Sequence, residues 1–284
     1  MRFTKMHGIG NDFIIVNCLG EMGDQLAAEA KEKAAWLCDR KFGVGGDGVI
    51  LVMIGETHRF RMVMYNPDGS EAEMCGNGIR CFAKYIHDHG FTQGETDIPV
   101  ETGAGLLRVQ ANLDAAGKVS TVRVDMGEPV LKPSLVPTTL GQGQDKVVDE
   151  SLVLDNRTLK VTTVSMGNPH AVTFVDDVAT YPVAEVGPQV EKNAAFPKRT
   201  NTEFIEVLSE GEINFRVWER GAGETLACGT GACAAVVAAH LNGKTGRHVL
   251  VHLPGGDLDI DWSAADNRVY MTGSATEVYE GEIL

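Results

Sequence analysis

The chain has 284 residues, 43% hydrophobic and 23% charged, an ordinary globular composition with enough length to bury its own core. Against 25 basic residues stand 39 acidic ones; the net charge of −14, with no basic block, excludes a typical nucleic-acid or anionic-membrane surface. No stretch approaches the roughly 18 apolar residues of a membrane helix, and the run Phe13–Val16 is too short for a secretion signal. The expectation is a cytoplasmic protein whose six cysteines are free thiols, with no C-x-x-C pair to suggest a metal site.

In chain order the predicted strands are short, rich in β-branched residues and punctuated by Gly, Asn, Asp and Pro. They are "FIIVNCL" (13–19), "GVILVMI" (48–54), "FRMVMY" (60–65), "TVRVDM" (121–126), "KVTTVSM" (160–166), "AVTFV" (171–175), "TEFIEVL" (202–208), "INFRVWE" (213–219), "HVLVHL" (248–253) and "RVYMTG" (268–273). Helices are fewer. One is expected over 25–41. A second follows Cys75, where Ile79, Phe82, Ala83 and Ile86 form an amphipathic stripe. A third follows Cys228 and is apolar nearly all round, as a helix wrapped by a sheet should be.

The chain repeats itself once. Placing Cys75 on Cys228, an offset of 153 (228 − 75), aligns "MVMYNPDGSEAEMCGNG" with "FRVWERGAGETLACGTG" without a gap. "GIGNDFIIV" then resembles "SMGNPHAVTFV", "ETGAGLLRVQ" resembles "HLPGGDLDID", and "VRVDMG" resembles "VYMTG", in the same order. A domain-sized period argues for two equivalent halves. The reading is an α+β protein of two pseudo-symmetric halves, each a strongly curved, mainly antiparallel and barrel-like sheet around a central helix, with the active site in the cleft between them. The halves are expected at 1–130 and 131–274, the boundary lying in the proline-rich segment 127–137; the sequence leaves open whether 275–284 returns to the first half.

Each half thus sets a cysteine at the mouth of a helix. The first helical turn has unpaired N–H groups and the positive end of the macrodipole. A thiolate there is stabilised, so its pKa is expected to fall toward neutrality. The glycines of "CGNG" and "CGTG" let an anionic ligand approach the same N–H groups. Two such thiols facing one α-carbon could remove a proton from one side and return one to the other, inverting the centre. A single cysteine in this setting reads as a small buried hydrophobe. Two at matched positions favour function, whereas Cys18, Cys38, Cys81 and Cys233 read as core.

At these residues the sequence resembles the diaminopimelate epimerase family, through "HGIGNDF", "FGVGGDG", "YNPDGSEAEMCGNGIRC", "MGNPH", "RTNTEF", "WERGAGETLACGTGACA" and "LPGG". The resemblance implies interconversion of LL- and meso-diaminopimelate, for lysine and peptidoglycan precursors, with no cofactor and no metal. It implies Cys75 and Cys228 as the proton carriers, with His170 and Glu219 assisting. It implies a reacting carboxylate held by Gly76, Asn77, Gly229 and Thr230. The distal end of the substrate would be held by Asn11, Asn66, Asn168, Asn201, Arg220 and Glu219, and the protein is expected to be a homodimer without nucleic-acid or membrane partners. Gly48 departs from many relatives, which carry glutamine there. The competing readings are a two-thiol proline or hydroxyproline racemase, a phenazine-type isomerase (disfavoured because both thiols are present), a redox sensor and a pure binding module.

Overall fold

The computed structural model describes residues Met1–Leu284, and the chain divides into two compact units: Met1–Asp125 with Thr272–Leu284, and Met126–Met271. The first unit opens with a hairpin, β1 (Arg2–Gly8) and β2 (Asn11–Asn17), in which Gly8 faces Asn11. Its two-residue turn, Ile9–Gly10, has both residues at positive φ, the mirror-image turn that matches strand twist. Two short helices follow, α1 (Gly23–Glu32) and α2 (Ala34–Cys38). Then come β3 (Gly48–Ile54), β4 (Phe60–Tyr65), β5 (Glu71–Ala72), α3 (Gly76–Asp88), β6 (Asp97–Thr102), β7 (Gly105–Leu113) and β8 (Val119–Asp125).

The second unit repeats this order: β9 (Glu150–Val153), β10 (Thr158–Ser165), β11 (Pro169–Phe174), α4 (Val183–Glu191), β12 (Asn201–Ser209), β13 (Glu212–Glu219), β14 (Gly223–Thr225), α5 (Gly229–Leu241), β15 (His248–Leu253) and β16 (Gly256–Trp262). The chain then runs through β17 (Val269–Ser274) into β18 (Thr276–Glu282), which pairs antiparallel with β1 and so belongs to the first unit.

Pairing is mainly antiparallel, but β2–β3 and β4–β6 are parallel, as are β11–β12 and β13–β15. Each parallel join contains a helix, because parallel neighbours need a crossover. The registers repeat. Val49 opposes Tyr65 as Thr202 opposes Trp218, and Tyr65 opposes Glu71 as Trp218 opposes Glu224. Helix α3 packs against β1, β2, β3, β7 and β8, and α5 against β10, β11, β12, β15 and β16. Each unit is therefore a sheet curved around one central helix.

The central strands are covered on both faces, which explains their unbroken apolar runs. Ile14, Val16, Val49 and Leu51 pack outward onto Leu37, Ala30 and Ala34 of α1 and α2. In the second unit Ala171 and Phe204 pack onto Val183, Val186 and Val190 of α4. Several elements differ from the sequence reading: β1, β5, β6, β7, β9, β14, β16 and β18 were not among the ten expected strands. The single helix expected over 25–41 is broken at Lys33 and ends at Cys38, because the Asp39 carboxylate accepts the N–H groups of Lys41 and Phe42 and turns the chain. Helix α4 was not anticipated, since Gly187 and Pro188 obscure its periodicity.

Candidate functional site

Both cysteines are helix N-caps. Cys75 and Cys228 have extended backbones (φ −140° and −129°), and α3 and α5 begin at the next residue, 153 positions apart. The first-turn N–H groups of Gly76 and Gly229 onward are the ones a helix leaves without internal partners.

In the first unit Cys75 is half-buried, and its S–H points to Asn11 Oδ1 at 3.7 Å. Asn77 Nδ2 donates to the same oxygen at 3.1 Å. Asn11 Nδ2 donates to Asp47 Oδ2 at 2.7 Å, which fixes the amide with its oxygen toward the sulfur. Behind Asp47 lies a charge network. Arg40 bridges Asp47 (2.7 Å) and Asp12 (3.1 and 2.6 Å), and the buried Lys5 ammonium sits 2.6 Å from Asp12 while donating to Gly45 O. Burial alone would raise the Asp12 carboxyl; hydrogen bonds from Arg40 and Lys5 and the Lys5 charge overcome it and bring the pKa down to about 2. Asn66 opens the turn closed by the Gly69 N–H, and its amide donates to Ser70 Oγ at 3.0 Å. Gly48 has no room for a side chain: a Cβ would meet Met64 Cε at 2.8 Å and Tyr65 O at 3.0 Å.

In the second unit the equivalent amide, Asn168, donates from Nδ2 to Thr230 Oγ1 at 3.2 Å, as Asn11 meets Asn77. Its oxygen, however, is taken by His170 Nε2 at 2.8 Å. The Thr230 hydroxyl lies 3.6 Å from Cys228 Sγ and supplies the sulfur's polar neighbour instead. His170 is fully buried on β11, and its Nδ1 lies 2.6 Å from Oε1 of Glu203, also fully buried, on β12. Asn201 donates to Pro169 O at 3.1 Å and accepts the Arg220 N–H at 2.8 Å. The exposed Arg220 guanidinium donates to Lys198 O at 3.2 Å, and Glu219 accepts the Thr225 hydroxyl. The structure thus gathers Asn11, Cys75 and Asn77 in one unit, and Asn168, His170, Asn201, Arg220, Cys228 and Thr230 in the other. Glu203 and Asp47 were not singled out from sequence; an acidic residue within an otherwise buried strand was the available signal for Glu203.

The thiol pKa expectation needs correction at Cys228. Burial comes first, then the nearby Glu219 and Glu203 carboxylates, and together they push this thiol well above its ordinary value. Hydrogen bonds from Thr230 and the Gly231 N–H pull the other way and are outweighed. A helix start lowers a thiol's pKa only where solvent or cations also help, and here two carboxylates oppose it.

Comparison with known proteins follows the same lines. The sequence profile of the family described as diaminopimelate epimerase matches residues 3–132 and 162–278. The chain is 52% identical over 282 residues to the diaminopimelate epimerase of Moorella thermoacetica, covering 99% of both chains. It is 52% identical over 288 residues to that of Agathobacter rectalis, covering 100% of this chain and 99% of the other. Among solved structures it resembles a phenazine biosynthesis protein of the PhzF family from Bacillus anthracis (TM-score 0.69, 17% identity, 100% and 99% covered). It also resembles a probable proline racemase from Agrobacterium radiobacter (TM-score 0.70, 15% identity, 100% and 92% covered). At these identities the structures speak for the fold alone, while the sequence matches extend from end to end: the chain belongs to the diaminopimelate epimerase family.

Proposed function

We propose that the protein interconverts LL- and meso-diaminopimelate by two-thiol proton transfer at one α-carbon, without a cofactor. The observation that carries this reading is the repeated cysteine-capped helix, two sulfurs in equivalent positions but unequal surroundings. Cys228, buried beside Glu203 and Glu219, holds its proton at rest and is the acid. Cys75, half-buried beside the Asn11 amide oxygen, is the base that takes the substrate's α-proton. After one turnover the roles are exchanged, and the reverse reaction uses them in that order.

The first-turn N–H groups of Gly76, Asn77, Gly229 and Thr230 receive the reacting carboxylate and the negative charge that develops on it as the α-proton leaves. Asn11, Asn66, Asn168, Asn201, Glu219 and Arg220 hold the distal amino acid group: amide oxygens accept from an ammonium, and the guanidinium grips a carboxylate. His170 and Glu219 assist proton movement. The enzyme works in the cytoplasm as a homodimer, feeding lysine and peptidoglycan precursors. No helix is long and apolar enough to cross a membrane.

The test is LL-diaminopimelate in deuterated water, with product followed by NMR. The expected result is meso product carrying deuterium at the inverted carbon. Cys75→Ala and Cys228→Ala should each lower the rate at least about 1,000-fold with the fold intact, since each removes an obligatory proton carrier. A near wild-type rate in either variant, or turnover of proline and not diaminopimelate, would overturn the reading.

A further inference from the structure

The repeat permits a position-by-position comparison of the two thiol environments. On β3, Ile50 points at the start of α3: a Cβ on Gly78 would lie 2.9 Å from Ile50 Cδ1 and 3.7 Å from Cys75 Sγ. On β12 the residue 153 positions later is Glu203. A Cβ on Gly231 would lie 2.9 Å from Glu203 Oε1 and 3.1 Å from Cys228 Sγ. The neighbouring strand shows the same replacement. Phe13 lies beside Gly48 as His170 lies beside Asn201, so the fully buried pair Phe13 and Ile50 becomes the fully buried pair His170 and Glu203. One more position follows suit: Glu219 corresponds to Asn66. Two acidic groups therefore face Cys228 where the corresponding places in the first unit are an isoleucine and an asparagine.

We infer that Glu203, clamped on His170, is the positioning residue that makes the two thiols inequivalent, by holding the proton on Cys228. This rests on the epimerase reading only for its consequence in turnover; the effect on the thiol stands by itself. The geometry supplies the mechanism. Asn168 Oδ1 takes the His170 Nε2 proton, so the one proton free to move in the pair lies between Nδ1 and Oε1. Burial raises the Glu203 carboxyl, while the charge and hydrogen bond of His170 oppose that rise and favour the carboxylate. A thiolate forming at Cys228 confronts that carboxylate across the space Gly231 leaves open, and the pair must give up its charged form. Glu203 Oε2 is buried and meets no protein hydrogen-bond donor. The charged groups that bear on Cys228 are thus Glu219 and Glu203, the latter held against His170. The Thr230 hydroxyl and the Gly231 N–H act in the opposite sense.

The test is the pH dependence of alkylation by iodoacetamide, read peptide by peptide by mass spectrometry in the intact chain. Cys18 and Cys38, raised to about 11 by burial, and Cys81, raised to about 12, stay unreactive in the range that matters. In Glu203→Gln the ionisation midpoint of Cys228 should fall by about one pH unit, so that alkylation below it runs about tenfold faster. The plateau rate at high pH, which reports access and not charge, should stay the same, as should the Cys75 profile. Glu203→Ile places at this site the residue its own counterpart uses and should shift the midpoint in the same direction, deciding the matter if the glutamine variant does not fold. A Cys228 midpoint that is unchanged or raised in a folded variant overturns the inference. Deuterium incorporation by the wild-type protein is measured alongside. A shifted midpoint without epimerisation sinks the catalytic reading alone, and epimerisation without a shift sinks this one alone.

Discussion

Gly231 is a small residue with a large neighbourhood. The place its Cβ would take already borders Glu203 Oε1, Cys228 Sγ and Phe215 Cζ at 2.9, 3.1 and 3.2 Å. Gly231→Ala should therefore cost about 1–3 kcal/mol by overpacking and lower epimerisation at least about tenfold by displacing the sulfur from its working position. Gly20→Ala, where a Cβ meets nothing within 4 Å, is the control. Urea denaturation and initial rates measure the two effects. The buried thiols make a second prediction at this scale. Burial raises Cys18 and Cys38 to about 11 and Cys81 to about 12, from an ordinary value of 9.0. A raised folded-state pKa gives stability that is complete below the unfolded value and is lost as pH climbs toward the folded one. The urea midpoint should thus hold steady to about pH 8 and decline by pH 10.5, by on the order of 1 kcal/mol per thiol. Serine replacements at Cys18 and Cys38 should flatten that decline. The place of Cys75 and Cys228 at two helix starts was legible from the repeat. Glu203 was not. A strand such as "TEFIEVL" reads as alternating when its glutamates are assumed exposed, and only the fold shows that Glu203 faces the central helix.

At the scale of elements, the β1–β2 hairpin carries more than its hydrogen bonds. It brings the buried Lys5 against Asp12, and Arg40 ties Asp12 to Asp47, which in turn orients Asn11 beside Cys75. The Asp12 carboxylate, held at about 2, stabilises the fold above the ordinary carboxylate range and loses that contribution as pH falls from about 4 to about 2. Partial solvent access limits the contribution to about 1–2 kcal/mol. Asp12→Asn should remove it and also leave the Lys5 ammonium without its charge partner. Thermal melts at pH 7 and pH 3 should show a wild-type loss on acidification that the variant has already suffered at pH 7. Ten of the eighteen strands were readable from short β-branched runs, and the central helices from their stripe and their alanine-rich register. What local pattern could not reveal was α4, where Gly187 and Pro188 sit inside a helix. Nor did it reveal the break at Lys33. Helix 25–41 is continuous in propensity, and its end is set by the Asp39 side chain capturing two backbone N–H groups.

For the molecule as a whole, the position of the last strand matters most. β18 pairs with β1 from Arg2–Glu282 to His7–Thr276, and the Met1 amino group reaches Ile283 O at 3.1 Å. Gly281 makes room for the Phe3 ring, which meets Tyr279 edge-on at 6.0 Å. Removing residues 276–284 should open that edge of the first unit. The expected outcome is a lower and broader thermal transition, with hydrogen exchange accelerated in β1 and β2 while the α5 core keeps its protection. Equal loss of protection throughout would show that the two units unfold as one. The repeat made two halves legible in the sequence, but the destination of the C-terminal strand is a matter of long-range pairing that no local pattern encodes.

Because the first unit is closed by the final residues of the chain, the order of synthesis is inverted relative to the order of completion. The second unit, contiguous from Met126 to Met271, has its entire sequence synthesised before β18 is translated. The unit that holds Cys75 begins before the second and is completed after it, with β1 awaiting its partner until β18 is made.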